Sequence, residues 1–327
     1  MDIQSKSPPL VSVIIPTFNR SDMLRQAVTA ACKQTLPRDQ YEIIVVDNAS
    51  TDDTRDVVGK LRSSTQTSIT YVHESRPGLH WARHAGASAA QGKILAFIDD
   101  DCLPEPDWLA SLSQAYDEFQ PDAAGGKILI RWDSPPPTWV ITYEAVLGRL
   151  DLGPQPRFLK EDEFINGGNF SILRDRLFEI GGFNPDQIGS YLIGDGETGL
   201  CRKIHAAGWK MLWVPSAMVW HQQIQGRNDT LPDLKRRFAN NGVADVYNDL
   251  NHNMPSRYRL FRLWQWRLRK HWPMWFRAWK LRGQTNPKEL QLQMDAAKTQ
   301  AEAKYLLRVL SSKSFRQLVL KENWLDE

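Results

Sequence analysis

Short apolar runs alternate with amphipathic stretches along the first part of the chain. The apolar runs cover residues 11–15, 43–46, 69–72 and 94–98, and each has the length of a buried strand. The stretches between and after them predict helices at 21–34, with Ser21 as N-cap, and at 50–62, 78–91 and 106–119. Apolar strands that alternate with helices are typical of a mostly parallel sheet covered on both faces. The pattern therefore predicts an α/β fold.

The chain from residue 123 onward follows a less regular pattern. Further strands are predicted at 128–130, 170–173 and 210–214, with helices at 174–180 and 198–207. Residues 230–250 and 257–325 have mostly helical patterns. We therefore expect one large domain at residues 1–230, made of two halves at about 10–122 and 123–230. A mostly helical C-terminal extension should follow at residues 231–327.

Each predicted strand of the first half stops at a polar or special residue. Pro16 and Thr17 follow the first strand, Asp47 ends the second, and three carboxylates, Asp99-Asp100-Asp101, follow the strand at 94–98. Carboxyl ends of parallel strands share one edge of the sheet, where open α/β sheets bind ligands. Three adjacent acids repel one another unless a cation holds them, and Mg²⁺ or Mn²⁺ prefers carboxylates with substrate phosphates. A solvated turn or a helix N-cap is the alternative interpretation.

Composition is that of an ordinary folded protein. The 327 residues, 42% hydrophobic and 24% charged, suffice for one large core or one domain with an extension. Three scattered cysteines, Cys32, Cys102 and Cys201, lack the paired spacing of a metal motif and indicate reduced thiols. The sequence shows neither a secretory signal nor an apolar run of about 18 residues. We therefore expect a cytoplasmic protein.

Residues 257–282 depart from the average charge. They hold nine Lys and Arg and no acidic residue, whereas the rest of the chain carries 32 basic and 38 acidic side chains. A helix here would be broken or kinked at Pro273. Its predicted apolar face consists of Leu260, Phe261, Leu263, Trp264 and Leu268.

Basic amphipathic helices with tryptophan lie in membrane interfaces, where cations meet anionic head groups. We therefore expect residues 257–282 to associate with the cytoplasmic face of a membrane. The alternatives are a packed helical appendage with solvated arginines and a nucleic-acid patch. Nothing else in the sequence supports nucleic-acid binding, so we expect no nucleic-acid partner.

Short motifs then follow one another in an order that resembles a known family. In chain order they are Pro16-Thr17-Phe18-Asn19, Asp47-Asn48-Ala49-Ser50-Thr51-Asp52, Ala82-Arg83, Asp99-Asp100-Asp101, Gly167-Gly168-Asn169, Gly181-Gly182-Phe183, Gly196-Glu197 and Trp220-His221. Over residues 10–222 this order resembles family 2 glycosyltransferases of the GT-A fold, which has a Rossmann-like, mostly parallel sheet flanked by helices. The resemblance implies inverting transfer of a sugar from a nucleotide diphosphate, for which we expect a UDP-sugar.

The resemblance implies a donor site built mainly from the first half. A carboxylate at Asp47 can accept hydrogen bonds from a ribose hydroxyl or a base N–H, although it could instead cap the following helix. The Arg83 guanidinium could fork onto a phosphate or a base carbonyl, and the alternative is an exposed helix cation. The full set expected to bind the nucleotide-sugar is Pro16, Thr17, Asn19, Asp47, Arg83, Asp99 and Asp100.

The resemblance also implies a divalent metal, Mn²⁺ or Mg²⁺, that clamps the donor diphosphate. Asp101 is the expected main ligand, with Asp99 toward the ribose or a metal-bound water. His221 follows a strand-like stretch, and neutral imidazole suits ions of the Mn²⁺ class. A structural histidine is the alternative for His221.

Two carboxylates compete for the role of catalytic base. An inverting enzyme needs one carboxylate to take the proton from the acceptor hydroxyl. The family usually has Glu-Asp at this place, whereas this chain has Gly196-Glu197, with the spacing to Leu200 and Arg202 preserved. Glu197 is the expected base and Asp195 its rival.

On the acceptor side we expect Gly167, Gly168 and Asn169. The glycines permit close backbone approach to a sugar, and the amide of Asn169 can both donate to and accept from hydroxyls. The expected partners are thus a nucleotide-sugar donor and a glycan or lipid-linked acceptor. Two other functions remain open: a nucleotidyltransferase, although Pro16–Arg20 is not a Gly-rich phosphate loop, and an inactive GT-A domain that serves as a membrane-tethered scaffold.

Overall fold

The computed structural model describes residues 7–188, 191–226 and 228–325. Its strands are β1 (Val11–Thr17), β2 (Tyr41–Asp47), β3 (Ser68–His73), β4 (Ile94–Phe97), β5 (Cys102–Pro104), β6 (Ala123–Trp132), β7 (Arg157–Phe158), β8 (Phe170–Leu173), β9 (Gln187–Ile188), β10 (Tyr191–Leu192) and β11 (Met211–Gln223). Its helices are α1 (Ser21–Ala31), α2 (Thr54–Ser64), α3 (Leu79–Ala89), α4 (Trp108–Phe119), α5 (Thr138–Ile141), α6 (Arg174–Glu179), α7 (Gly196–Ala206), α8 (Leu231–His252), α9 (Arg257–Lys280), α10 (Pro287–Ser311) and α11 (Lys313–Val319). A 3₁₀ turn, Gly167–Asn169, precedes β8.

One central sheet joins both halves, with strand order β3-β2-β1-β4-β8-β6-β11-β5 and β7 paired to β11. The strands β1 to β4 are parallel, as the alternating pattern predicts. The strand β8 then runs antiparallel to both of its neighbours, β4 and β6. In register, Thr17 lies opposite Asp47, and Asp47 opposite His73, so the ends of three strands are level at the carboxyl edge.

Both faces of the sheet are buried, which explains the unbroken apolar strands. Along β1, Val13 and Ile15 contribute to one core and Ile14 to the other. Helices α1 and α4 cover the first face with Leu24 and Leu112, among others. Because every position of such a strand meets a helix layer, none needs to be polar.

The sequence pattern misplaced several element boundaries. Ser21 is the first helical residue of α1 and not its N-cap, a position held by Arg20. The helix predicted from residue 50 begins only at Thr54, because the Asp52 carboxylate in the turn before it accepts from the backbone N–H groups of Thr54 and of Ser21 at the start of α1. The last strand predicted at 210–214 continues to Gln223, and β5 was not predicted at all.

The C-terminal helices share a core with the first domain. Ile193, just before α7, packs with Tyr247 of α8 and Leu306 of α10, and the Tyr305 hydroxyl donates to the Ile193 carbonyl at 2.6 Å. A smaller cluster joins Tyr143 to α8 and α10. The predicted helical extension is therefore present and is packed against the segment that precedes Glu197.

The helix α9 runs through Pro273 without the predicted break. Proline removes one backbone donor, but Ala278 and Leu260 hold both ends of the helix in the interior. The predicted apolar face is only partly right, since Phe261 is 43% exposed while Leu260 is buried. Among the described residues, no helix combines the length and the apolar character needed to cross a bilayer.

We expect Trp324→Ala to cost about 3–5 kcal/mol of unfolding free energy, because a fully buried tryptophan leaves a large cavity. Its backbone N–H donates to the Gly181 carbonyl at 3.0 Å, so the residue ties the end of the chain to the first domain. Urea unfolding followed by circular dichroism measures the loss. Trp272→Ala is the matched control, since Trp272 is 59% exposed and its loss should change stability by no more than about 0.5 kcal/mol. Equal losses in both variants would contradict the assignment.

Candidate active site

A cleft of about 1080 Å³ opens at the carboxyl edge of the sheet. It lies where β1, β2 and β4 end, and it is also bordered by α7, β11, α8 and α10. The predicted site residues among its lining are Pro16, Thr17, Asp99, Asp100, Asp101, Gly168, Glu197 and His221. A second cleft of about 810 Å³ lies near Lys93 and Arg174, at the opposite edge and away from these residues.

Asp100 anchors the acidic turn to the first strand. Its carboxylate accepts from the Thr17 hydroxyl at 2.7 Å and from the Arg20 guanidinium at 2.8 Å. Burial raises the pKa of Asp100 to about 6, although Arg20 opposes this rise. The same guanidinium nitrogen also donates to Asp101, at 2.9 Å. Arg20 thus neutralises part of the charge on two adjacent acids, and Asp100 is held where it can shape the turn.

Asp99, Asp101 and His221 face one another at the base of the cleft. One oxygen each of Asp99 and Asp101 and the sulfur of Cys102 lie within 4.8 Å of one another. His221 is brought in by β11, with Nε2 3.4 Å from an Asp101 oxygen. Burial and the adjacent acids raise the pKa of the Cys102 thiol well above its usual value, so the sulfur stays protonated. The donor set suited to a hard divalent ion is therefore two carboxylates and one imidazole.

Arg83 lies beneath this cluster and is 2% exposed. Its guanidinium donates to Asp99 at 3.3 Å and to Glu197 at 3.4 Å, and it stacks over the Phe183 ring. The alternative of an exposed helix cation is therefore wrong. Arg83 binds the site's own acids here, and its predicted contact with the nucleotide stays a prediction.

Gly167 and Gly168 let the backbone pass close to the charged groups. A β-carbon at Gly167 would lie 2.4 Å from an Arg83 nitrogen, and one at Gly168 would lie 3.1 Å from the Cys102 sulfur. At both positions a β-carbon would lie too close to Arg83 or Cys102. Close packing against these two side chains therefore explains why both residues are glycine. Their predicted role toward the acceptor stays a prediction.

Asn169 does not present its amide to the cleft as predicted. The residue is 1% exposed, and its side chain accepts from the Trp108 indole at 2.8 Å and donates to the Ala217 and Lys127 carbonyls. The amide is thus occupied inside the protein, because it lies where α4, β6 and β11 meet. Asn169 therefore holds these elements together. The prediction that its amide binds the acceptor is wrong, and its role is structural.

Glu197 and Asp195 occupy different environments at the start of α7. The Glu197 carboxylate lines the cleft and contacts Arg83. Asp195 is buried behind it, where it accepts from Asn184 at 2.9 Å and from Arg202 at 3.0 Å. Burial raises the pKa of Asp195, although these two partners oppose the rise. Of the two carboxylates, Glu197 is therefore the one that lines the cleft, and its predicted role as base stays a prediction.

Gly196 explains why the chain departs from the family's usual Glu-Asp pair. Its φ is +51°, and a β-carbon there would lie 2.2 Å from an Asp186 oxygen. Asp186 also lines the cleft, and burial together with the charge of Glu197 raises its pKa to about 7. The acidic group beside Glu197 thus comes from position 186 instead of 196.

Asp47 and Asn19 organise the loops that follow β1 and β2. The Asp47 carboxylate accepts from the Ser50 N–H at 2.8 Å and from the Tyr71 hydroxyl at 2.7 Å, and burial with this bond raises the pKa of Tyr71 to about 12. The Asn19 side chain accepts from the Thr51 N–H at 2.7 Å. The predicted contacts of Asp47 and Asn19 with the nucleotide stay predictions, since both side chains already hold loop backbone.

The sequence of this chain matches the model of a known protein family. The model of Glycosyl transferase family 2 matches residues 12–181, which is more than half of the chain. The chain belongs to glycosyl transferase family 2. The predicted family is therefore confirmed.

Relatives within family 2 match parts of the chain. Glycosyltransferase AglE of Haloferax volcanii is 32% identical over 120 residues, 37% of this chain and 40% of that protein. Validoxylamine A glucosyltransferase of Streptomyces hygroscopicus subsp. jinggangensis is 33% identical over 108 residues, 33% of this chain and 26% of that protein. The chain thus covers less than half of the length of either relative. Glucosyl-dolichyl phosphate glucuronosyltransferase of Haloferax volcanii is 26% identical, over 67% of this chain and 71% of that protein.

Solved structures share the fold of this family 2 chain. The mannosyltransferase PcManGT of Pyrobaculum calidifontis, in complex with GDP-Man and Mn²⁺, superposes with a TM-score of 0.56 at 20% identity, over 96% of this chain and 79% of that one. Residues 1–349 of TarS from S. aureus, in complex with UDP-GlcNAc, superpose with a TM-score of 0.54 at 13% identity, over 94% and 91%. These likenesses confirm the predicted GT-A fold.

Sequence reasoning missed several charged residues that line or support the cleft. They are Arg20, Asp186, Arg202, Arg237 and Lys298. A signal existed only for Arg20, a cation directly after the first strand and hence at the acidic edge. Arg237 and Lys298 come from α8 and α10, and their approach to the cleft depends on how the C-terminal helices pack.

The raised pKa of Asp186 predicts a pH dependence of stability. The folded protein keeps this proton up to about pH 7, whereas the unfolded chain releases it near pH 4, so this contribution is lost as the pH rises through 7. The unfolding free energy of the wild type should decrease between pH 5 and pH 8, and Asp186 should account for about 2–3 kcal/mol of that decrease. Asp186→Asn should abolish this part of the decrease. Urea titrations at several pH values measure it, with exposed Asp162→Asn as control. A wild-type slope in Asp186→Asn would refute the assignment.

Proposed function

We propose that the protein is an inverting glycosyltransferase that moves a sugar from a nucleotide-diphosphate donor to a glycan or lipid-linked acceptor. The observation that carries this proposal is the cleft in which Asp99, Asp101 and His221 face Glu197 across the buried Arg83. Family 2 membership and relatives named as glycosyltransferases support it. Two further relatives, named glucosyl-dolichyl phosphate glucuronosyltransferase and poly(ribitol-phosphate) beta-N-acetylglucosaminyltransferase TarS, favour a role in polysaccharide or cell-surface glycan assembly.

The residues present fit a divalent ion. Two carboxylates and an imidazole converge from β4 and β11, and their chemistry suits Mn²⁺ or Mg²⁺. Asp101 would be the main ligand, with Asp99 and His221 beside it. Such an ion supplies positive charge that stabilises the departing nucleoside diphosphate. Two solved structures of the same fold, those of PcManGT and GalNAc-T7, are complexes with Mn²⁺.

The nucleotide fits the end of the cleft formed by β1 and β2. Pro16 and Thr17 line it directly, and Asp47 and Asn19 hold the loops beside it. Neighbouring structures are described with GDP-Man, UDP-GlcNAc and UDP. We propose a UDP-sugar, because two of the three neighbouring proteins, TarS and GalNAc-T7, are described with uridine nucleotides and one with GDP-Man.

Glu197 acts as the base. Its carboxylate reaches the cleft while its contact with Arg83 keeps it oriented, so it can take the proton from the acceptor hydroxyl as that oxygen attacks the anomeric carbon. Arg83 links Glu197 to Asp99, and therefore sets the spacing between base and donor side. Asp195 supports α7 through Arg202 and Asn184 and takes no proton from the acceptor.

We further propose that the enzyme works at the cytoplasmic face of a membrane, as a peripheral protein, on a glycan or lipid-linked acceptor. The relative named glucosyl-dolichyl phosphate glucuronosyltransferase supports the choice of a lipid-linked acceptor. A catalytically degenerate GT-A scaffold is the alternative, and its only support is the changed Glu-Asp motif. The cleft-facing Glu197 argues against it.

Donor binding tests the proposed function directly. Thermal shift with UDP, GDP and dTDP, each with and without Mn²⁺, should show the largest rise for UDP with Mn²⁺. At a ligand concentration about 100-fold above Kd the stabilisation is about 2.7 kcal/mol. Asp101→Ala should lose the part that depends on Mn²⁺, whereas exposed Asp22→Ala should keep it. Absence of any response, together with no hydrolysis of UDP-sugars, would reject the proposal.

Kinetics separate the two candidate bases. Glu197→Gln cannot take a proton and should lower kcat about 10²–10⁴-fold, with little change in donor KM. Asp195→Asn keeps its shape and its bond to Asn184, so kcat should fall far less while the unfolding free energy decreases. Steady-state transfer assays measure both variants. Near wild-type turnover in Glu197→Gln with an inactive Asp195→Asn would assign the base to Asp195.

A further inference from the structure

The helix α9 carries an apolar face that points away from its packing partners. Six aromatic residues of α9 are 43–67% exposed: Trp266 and five others that we call the outer aromatic face, namely Tyr258, Phe261, Trp272, Phe276 and Trp279. At 3.6 residues per turn these five positions fall within an arc of about 60°. Exposed aromatic area of this extent on one helix is unusual for a surface in water. The face is therefore a candidate docking surface.

The opposite side of α9 is already used for folding. Leu260 is buried, and Leu263 and Trp264 pack on the core shared with α8 and α10. The Trp275 indole donates to the Thr299 hydroxyl of α10 at 2.9 Å, and Arg267 forms an ion pair with Glu302. The helix is thus fixed to the protein by one side. The outer aromatic face can meet a partner without any rearrangement of this packing.

The positive charge around the outer aromatic face indicates what kind of partner it can bind. Residues 257–282 contain nine cations and no acid, and within the described chain only Arg267 among the nine forms an ion pair. Lys280 lies 4.5 Å above the Phe276 ring, and Arg282 lies 5.5 Å above the Trp279 ring. Cations that border exposed aromatic rings fit a surface that is negative outside and apolar beneath.

We propose that the outer aromatic face of α9 binds an anionic lipid bilayer, with the helix lying parallel to the membrane plane. Aromatic side chains favour the region between head groups and acyl chains, and each Lys or Arg near an anionic leaflet adds about 1 kcal/mol. An acidic protein surface would satisfy the cations but would not accept five exposed rings along one helix. A bilayer satisfies both features at once.

This docking would also orient the cleft. The helix α10 packs against both α9 and α8, and residues of α8 and α10, among them Arg237, Asn241 and Lys298, line the cleft. The cleft therefore lies one helix layer away from the proposed bilayer surface. The inference stands apart from the proposed transfer reaction, because it rests on surface residues that take no part in the site.

Vesicle flotation of the full chain tests the proposal. We expect binding to vesicles of phosphatidylcholine with phosphatidylglycerol, little binding to phosphatidylcholine alone, and weaker binding as salt rises. The triple variant Trp272→Ala, Phe276→Ala, Trp279→Ala should bind anionic vesicles at least tenfold more weakly (about 1.4 kcal/mol). Phe158→Ala with Leu320→Ala, two exposed apolar residues elsewhere, should leave binding unchanged.

A charge-matched pair separates local from overall charge. Vesicle binding should weaken in the triple variant Arg262→Gln, Arg269→Gln, Lys280→Gln. The control triple variant is Arg25→Gln, Lys33→Gln, Lys60→Gln, which removes the same charge from exposed sites on α1, in the loop after α1 and on α2. This control should bind vesicles as the wild type does. Thermal unfolding checks that each variant is folded. Because no sugar transfer is measured, a failed donor assay would leave this result intact.

Three results would overturn the proposal. The first is equal binding of the wild type and the aromatic triple variant to anionic vesicles. The second is a dimer in solution that the aromatic triple variant converts to a monomer, while vesicles bind neither, which would assign the face to contact between copies. The third is binding to single-stranded RNA without binding to vesicles, which would assign the cations to nucleic acid.

Discussion

Mutual repulsion of acids in one cleft is the constraint on which this structure depends. Asp99, Asp100, Asp101 and Glu197 converge there, and two arginines hold them: Arg83 from below and Arg20 from the first loop. A buried arginine without acids, or these acids without it, costs several kcal/mol. Since Arg83 belongs to the first half and Glu197 to the second, the ion pairs that stabilise the cleft also join the halves.

The C-terminal helices take part in this arrangement rather than merely following it. Ile193 before α7 is enclosed by side chains from α8 and α10, so the position of Glu197 depends on them. The same helices place Arg237 and Lys298 at the cleft. A single body of helices thus supports the segment that carries Glu197, lines one wall of the cleft and carries the outer aromatic face. The cleft and the outer aromatic face are therefore connected by helix packing.

Polar residues that look equivalent in sequence acquire different tasks from their surroundings. Asp100 is buried and accepts from Thr17 and Arg20, while Asp101 contacts His221 at the base of the cleft. Asp195 and Glu197 differ in the same way, since Asp195 is buried against Arg202 and Glu197 lines the cleft. Asn169 shows the limit of motif reading, because a residue predicted to bind the acceptor instead holds three elements together in the interior.

The sequence by itself determined the α/β class, the four parallel strands and the acidic edge, because these follow from local periodicity and from where each strand stops. It also indicated the family through the order of its motifs. Only the tertiary structure decided that Asp186 fills the space beside Gly196, that Arg83 joins Asp99 to Glu197, and that α9 continues through Pro273 with its aromatic rings outward. These features depend on contacts between residues far apart in the chain, and no local pattern encodes such contacts.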